Sequence, residues 1–277
     1  MKEIKRFQIR GVPGDISRVD FDGRIVDYWL PKSSAQHLLI AHDGQNIFDG
    51  HTSTHRGQTW KMAQSAIRVS HALGIDPPAI IAVWHSRSQE NPLGRGKDLV
   101  PEKYFKEGLQ VHGSFAKNFD SNLLHGDTYL AKIFDEYVPA IAPAIKPENT
   151  AMIGSSMGAL ATLYALAQLP DRFTTALAFS THWPFGGDPL VEKSVQSLPK
   201  PGPFKVWMSH GTKGIDAQYA PFQLVANRLM HEHGYQHHNF ASKVYKRSGH
   251  NERSWAKYLD QPMRFWLEAA TPLEPRS

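Results

Sequence analysis

Short apolar runs rich in β-branched residues alternate along this chain with longer amphipathic stretches. The runs 23–30, 37–41, 79–84, 150–153, 173–179, 204–208 and 242–246 read as strands. Between them, apolar positions recur at helical spacing over 60–73, 127–145, 159–169, 217–233 and 253–269. Gly74 with Pro77-Pro78 stops the first of these helices, and Gly234 stops the fourth. A break is expected at Pro139 or Pro143, and a kink at Pro262. Strands alternating with helices predict an α/β fold, with a mostly parallel central sheet and helices on both faces. No repeat or low-complexity segment interrupts the pattern, so residues 1–277 are expected to form one domain. One stretch resists it. Residues 86–125, which include Asn91-Pro92-Leu93-Gly94-Arg95-Gly96-Lys97, carry no clear period. A loop this long in a compact domain reads either as a lid-like binding segment or as surface decoration.

Composition narrows the chemistry. At 41% hydrophobic and 21% charged residues the chain has the make-up of an ordinary globular protein, and no apolar run is long enough for a membrane span. Zero cysteines exclude disulfides, thiolate metal sites and a cysteine nucleophile. The net charge of +5 comes from scattered Lys and Arg, with no basic run interleaved with aromatics. Nucleic acid is therefore not expected as a partner, although anionic small molecules would be mildly attracted. The N-terminus, Met1 to Arg6, is charged and lacks the apolar core of a secretory signal, so a cytoplasmic location is the expectation, with a processed secreted form as the alternative. His231-Glu232-His233 with His237-His238 resembles a metal cluster, but a helix end and a polar turn account for the same residues. No metal or organic cofactor is expected.

The chemistry-bearing motif is Gly154-Ser155-Ser156-Met157-Gly158, which fits G-x-S-x-G between a predicted strand and a predicted helix. A serine on such a turn projects its hydroxyl from the top of the sheet. Outside that context, Ser156 would serve as a helix N-cap. A serine nucleophile needs a base, and His250 lies in a predicted strand-to-helix turn downstream. The chain order Ser, acid, His calls for a carboxylate after the strand 204–208, where Asp216 is the sole acidic residue before His231. Asp216 also looks like the N-cap of the following helix, and Asp188 is the fallback acid. Two backbone N–H groups must face the developing oxyanion; Met157 and Gln45 are the candidates. Trp183 follows the strand 173–179 and is a candidate pocket wall, with a core role as the alternative.

Three segments carry a family resemblance. His42-Asp43-Gly44-Gln45-Asn46-Ile47-Phe48-Asp49, the run Gly154 to Leu160, and Gly249-His250-Asn251-Glu252 with Trp255 resemble the conserved segments of the putative-esterase family. That family includes esterase D, feruloyl and enterochelin esterases, and mycolyltransferases. The resemblance spans residues 20–270 and implies the α/β-hydrolase fold. It also implies Ser156 as nucleophile, His250 as base, and an oxyanion hole from Gln45 and Met157. Many members place the acid directly after a Gly-Thr pair; here Gly211-Thr212 is followed by Lys213-Gly214, and Asp216 comes slightly late. The expectation is a serine esterase acting on a small-molecule ester. An acyltransferase with the same residues and a non-catalytic binding protein are the alternatives.

Overall fold

Residues 1–268 are described in a computed structural model, and their strands join into one nine-stranded sheet. The strands are β1 (Lys2–Phe7), β2 (Ile16–Phe21), β3 (Arg24–Trp29), β4 (Leu38–Ala41), β5 (Ala79–Val83), β6 (Thr150–Ser155), β7 (Thr175–Phe179), β8 (Lys205–Gly211) and β9 (Phe240–Tyr245). They lie in the order β1-β2-β3-β5-β4-β6-β7-β8-β9. From β5 to β9 every pairing is parallel, while β1, β2 and β3 add an antiparallel margin. The parallel strands β4, β5, β6 and β7 are buried throughout, which is why they read as unbroken apolar runs.

Ten α-helices flank the sheet among the described residues: α1 (Met62–Leu73), α2 (Gly94–Leu99), α3 (Glu102–Lys106), α4 (Gly126–Lys132), α5 (Val138–Ile141), α6 (Met157–Gln168), α7 (Gly187–Gln196), α8 (Ala220–Glu232), α9 (Glu252–Ala256) and α10 (Asp260–Leu267). Alternation along β4 divides the core. Leu38 and Ile40 pack with α6, α7 and α8 on one face, while Leu39 and Ala41 pack with α1 and α10 on the other. The fold is thus the expected α/β-hydrolase architecture, a mostly parallel sheet covered on both faces.

The departures from expectation have local causes. The first two strands gave no signal because β1, KEIKRF, is an almost fully exposed edge and β2 carries Arg18 and Asp20 among its apolar positions. The helix expected over 127–145 divides at a π-turn, Ile133–Tyr137, just ahead of Pro139. Proline has no N–H for the helical ladder, so the wider turn absorbs the missing bond. The closing helix also divides, into α9 and α10. Pro262 sits in the first turn of α10, where an N–H has no partner to lose. The end of that predicted helix, like the rest of 269–277, lies outside the described residues.

Residues 86–125 are not an open loop. They fold into α2, α3 and two 3-10 turns, Gly113–Asn118 and Ser121–Leu123. Asp98 of α2 ties the segment to the sheet: it accepts from Arg24 at 2.8 and 3.1 Å and from the Ser86 N–H at 2.7 Å. Leu99, Val100, Tyr104 and Phe105 anchor it in the core.

Candidate active site

Ser156 occupies the junction of β6 and α6 with φ 57° and ψ −120°, a conformation rare for a residue with a side chain. The turn closes because Gly154 has no Cβ; one built there would lie 2.3 Å from the Gly158 carbonyl oxygen. Met157 opens α6, so its N–H has no carbonyl within the helix to bond and points outward. Ser155 is buried, and its carbonyl oxygen accepts from Arg95 at 3.4 Å.

Asp216 and His250 meet at the far end of the parallel strands. His250 Nδ1 lies 2.6 Å from Asp216 Oδ1. The other carboxylate oxygen accepts from Ser180 Oγ and from the Gly211 N–H, each at 2.7 Å. Burial would raise the Asp216 pKa, but the hydrogen bonds from His250, Ser180 and Gly211 outweigh it and hold the carboxyl below its usual value. An ionised Asp216 only accepts, so the imidazole proton sits on Nδ1 and Nε2 is left free. The carboxylate does not cap α8. It lies in the 3-10 turn Gly214–Gln218, and the residue preceding α8, Tyr219, makes no side-chain cap. Asp188 is exposed in the first turn of α7 and takes no part in this bonding network.

Ser156 and His250 line one cavity of about 160 Å³, together with Asp43, His55, His85 and Arg95. The loop after β4 forms its floor. Gly44 packs so tightly on β5 that a Cβ would lie 2.4 Å from the Ala82 carbonyl oxygen. Gln45 is the second residue of the 3-10 turn Gly44–Asn46, where the N–H has no partner inside the turn. The Gln45 side chain is buried, while its neighbours Asp43 and Asn46 reach the cavity. Arg95 of α2 grips Asp43 through two bonds of 2.8 and 2.7 Å. That pairing overcomes burial and holds Asp43 below the usual carboxylate range.

Several participants had no site role assigned to them from the sequence. Ser180, with φ 46°, links Asp216 to Trp255, whose Nε1 donates to its hydroxyl at 3.1 Å. Glu252 is buried and holds His55 Nδ1 at 2.7 Å on the cavity rim. Tyr219 is buried beside the serine: its hydroxyl lies 2.7 Å from His182 Nδ1, and its ring meets His250 edge-on at 5.9 Å. Burial, followed by the charges of His250 and Arg95, lowers the His182 pKa to about 4. Trp255 and Glu252 belong to a quoted motif; Ser180, Tyr219 and Arg95 could only be found by folding the chain.

Trp183 does not take the expected place. It is 0% exposed and packs in the core beneath α8, its indole Nε1 donating to Gln223 Oε1 at 3.3 Å. Phe185, at the other end of the 3-10 turn Trp183–Phe185, is buried too but lines a cavity. The histidines 231–238 are likewise spread out. His231 meets the Tyr235 carbonyl and His233 the Leu198 carbonyl, and among the described residues no three His, Asp or Glu side chains are grouped so as to hold a metal ion. No helix there is long and apolar enough to cross a membrane.

The family model described as "Putative esterase" matches residues 120–266, more than half of the chain. The chain belongs to the putative esterase family. No curated protein matches it in sequence. Among solved structures, the enterobactin esterase FES from Shigella flexneri is 16% identical with a TM-score of 0.59, covering 96% of this chain. This chain spans 59% of that protein's length. The BES protein from Bacillus cereus is also 16% identical, with a TM-score of 0.64 and coverage of 95% of this chain and 99% of its own. The enterobactin and salmochelin hydrolase IroE is 15% identical at a TM-score of 0.61, covering 91% of this chain and 95% of its own. At these identities the likeness is one of fold, and membership of an esterase family points the chemistry toward ester hydrolysis.

Proposed function

We propose that the protein is a serine carboxylic-ester hydrolase that works through an acyl-enzyme on Ser156. The observation that carries this reading is the ionised Asp216 bonded to His250 Nδ1, with His250 opening onto the same cavity as Ser156. With its proton on Nδ1, His250 presents a basic Nε2 to the serine hydroxyl. His250 takes that proton while Ser156 Oγ bonds to the ester carbonyl carbon. The carbonyl oxygen becomes an oxyanion that the N–H groups of Met157 and Gln45 stabilise. Collapse breaks the ester C–O bond, and His250 returns the proton to the departing alcohol. Water then repeats the sequence on the acyl-enzyme and releases the acid. Asp216 stays ionised throughout and stabilises the imidazolium.

The substrate is a small-molecule ester. Short-chain aryl esters and enterobactin, the compound named for two of the solved neighbours, make the first assay pair. Ser156→Ala should abolish hydrolysis and labelling by a fluorophosphonate probe while the far-UV spectrum stays that of the parent. Turnover within tenfold of the parent would remove Ser156 from the mechanism. Product partition with an added alcohol separates hydrolysis from acyl transfer.

A further inference from the structure

Beside the catalytic cavity lies a second one of about 370 Å³, walled mainly by the 86–125 segment. Leu93, Val100, Phe115, Phe119, Leu124 and Phe185 give it an apolar lining, and Met157 brings it to the foot of the nucleophile turn. Arg87 and Arg95 line both cavities, so the two adjoin at these side chains. His250 lines only the smaller one. The group that protonates the leaving alcohol must touch it, so the alcohol belongs in the polar cavity with His250. The acyl group then belongs in the apolar one, on the Met157 side.

The cations at this junction are not equivalent. Arg95 is spent on Asp43. Arg87, exposed on the rim, and Lys97, half-buried in the wall of the larger cavity, make no ion pair among the described residues. The one carboxylate on that wall, Asp120, already accepts from the Asn122 N–H at 2.9 Å. An apolar chamber with two uncommitted cations suits a ligand with an apolar body and a negative charge.

We infer that the ester substrate carries a carboxylate on its acyl group, with the acyl body in the 370 Å³ cavity and the carboxylate read by Arg87 and Lys97. This rests on the serine-esterase reading above and adds the substrate class. The test compares two para-nitrophenyl esters, the half-ester of adipic acid and the ester of the neutral branched alkanoic acid isosteric with it. At low ionic strength kcat/KM should favour the anionic ester about tenfold, the scale of one partly screened charge pair. The ratio should fall toward one in high salt, and likewise in Arg87→Gln/Lys97→Gln with an unchanged melting temperature. A parent ratio at or below one overturns the carboxylate assignment, as does a preference that survives the double substitution. Ser156→Ala separates the two levels. If neutral-ester turnover depends on Ser156 and the ratio is one, only the carboxylate assignment fails. If neither ester is turned over in a Ser156-dependent way, both readings fall.

Discussion

Asp216→Asn is the sharpest perturbation of this site, because it keeps the volume and changes only what the side chain can accept. The carboxylate takes three hydrogen bonds: His250 Nδ1 at 2.6 Å, Ser180 Oγ at 2.7 Å and the Gly211 N–H at 2.7 Å. An amide has one accepting oxygen. If that oxygen stays on Ser180 and Gly211, the NH2 group faces His250 and drives its proton to Nε2, the atom that must receive the serine proton. If the amide flips, His250 keeps its tautomer but the NH2 group meets the Gly211 N–H, leaving buried donors facing each other. The first arrangement costs fewer buried bonds and should dominate. A base in the wrong tautomer lowers kcat by on the order of ten-thousand-fold in a comparable serine hydrolase. The expected loss is thus about 5 to 6 kcal/mol of transition-state stabilisation, with KM nearly unchanged. Steady-state hydrolysis of a short-chain aryl ester across pH 6 to 9 measures it. Stability should fall by roughly 1–3 kcal/mol as a charged bond network is downgraded. Asp188→Asn, at an exposed site, serves as the control. Asp216→Asn activity above a tenth of the parent value, or an equal loss in Asp188→Asn, would refute the assignment of the acid.

Two further outcomes follow from groups around the nucleophile. Tyr219→Phe removes the hydroxyl that pairs with His182 Nδ1 and leaves a buried ring nitrogen without a partner. It should cost roughly 1–3 kcal/mol in urea unfolding, and an unchanged midpoint would show that the pair contributes nothing. His42 and His182 are buried, and burial lowers both to about 4. Their folded values lie below the ordinary histidine value, so the unfolded chain takes up protons that the folded state refuses. Stability is complete above about pH 6.5 and is lost as pH falls toward 4, by up to roughly 3 kcal/mol for each histidine. Urea midpoints at a series of pH values read this directly; a flat profile between pH 6.5 and 4.5 would contradict it.

The parts legible in the sequence share a physical property: their signal is local. Buried parallel strands must be apolar throughout, so β4, β5 and β6 stood out, as did the turn whose geometry demands Gly154. The exposed edge β1 has no buried face to impose a pattern. Helices α2 and α3, at six and five residues, are too short for an amphipathic period to register. The choice between Asp216 as cap or partner was open in the sequence because a 3-10 turn and a helix start attract the same residue types; its side chain bonds His250. Trp183 was misplaced because chain position gives the end of the sheet but not which way a side chain turns. Phe115, Phe119 and Phe185 fill the role that position suggested for it.

The Arg95–Asp43 bridge has a consequence for how such a protein diversifies. It bolts the segment that shapes the larger cavity to the loop whose next residues include Gln45. A replacement segment carrying a different cavity must therefore bring its own arginine to the same spot. Without it, Asp43 would keep an uncompensated charge at 4% exposure, and the relief it sought would come from shifting the loop itself. Specificity in this scaffold can be exchanged as a cassette, but only one with a matching connector.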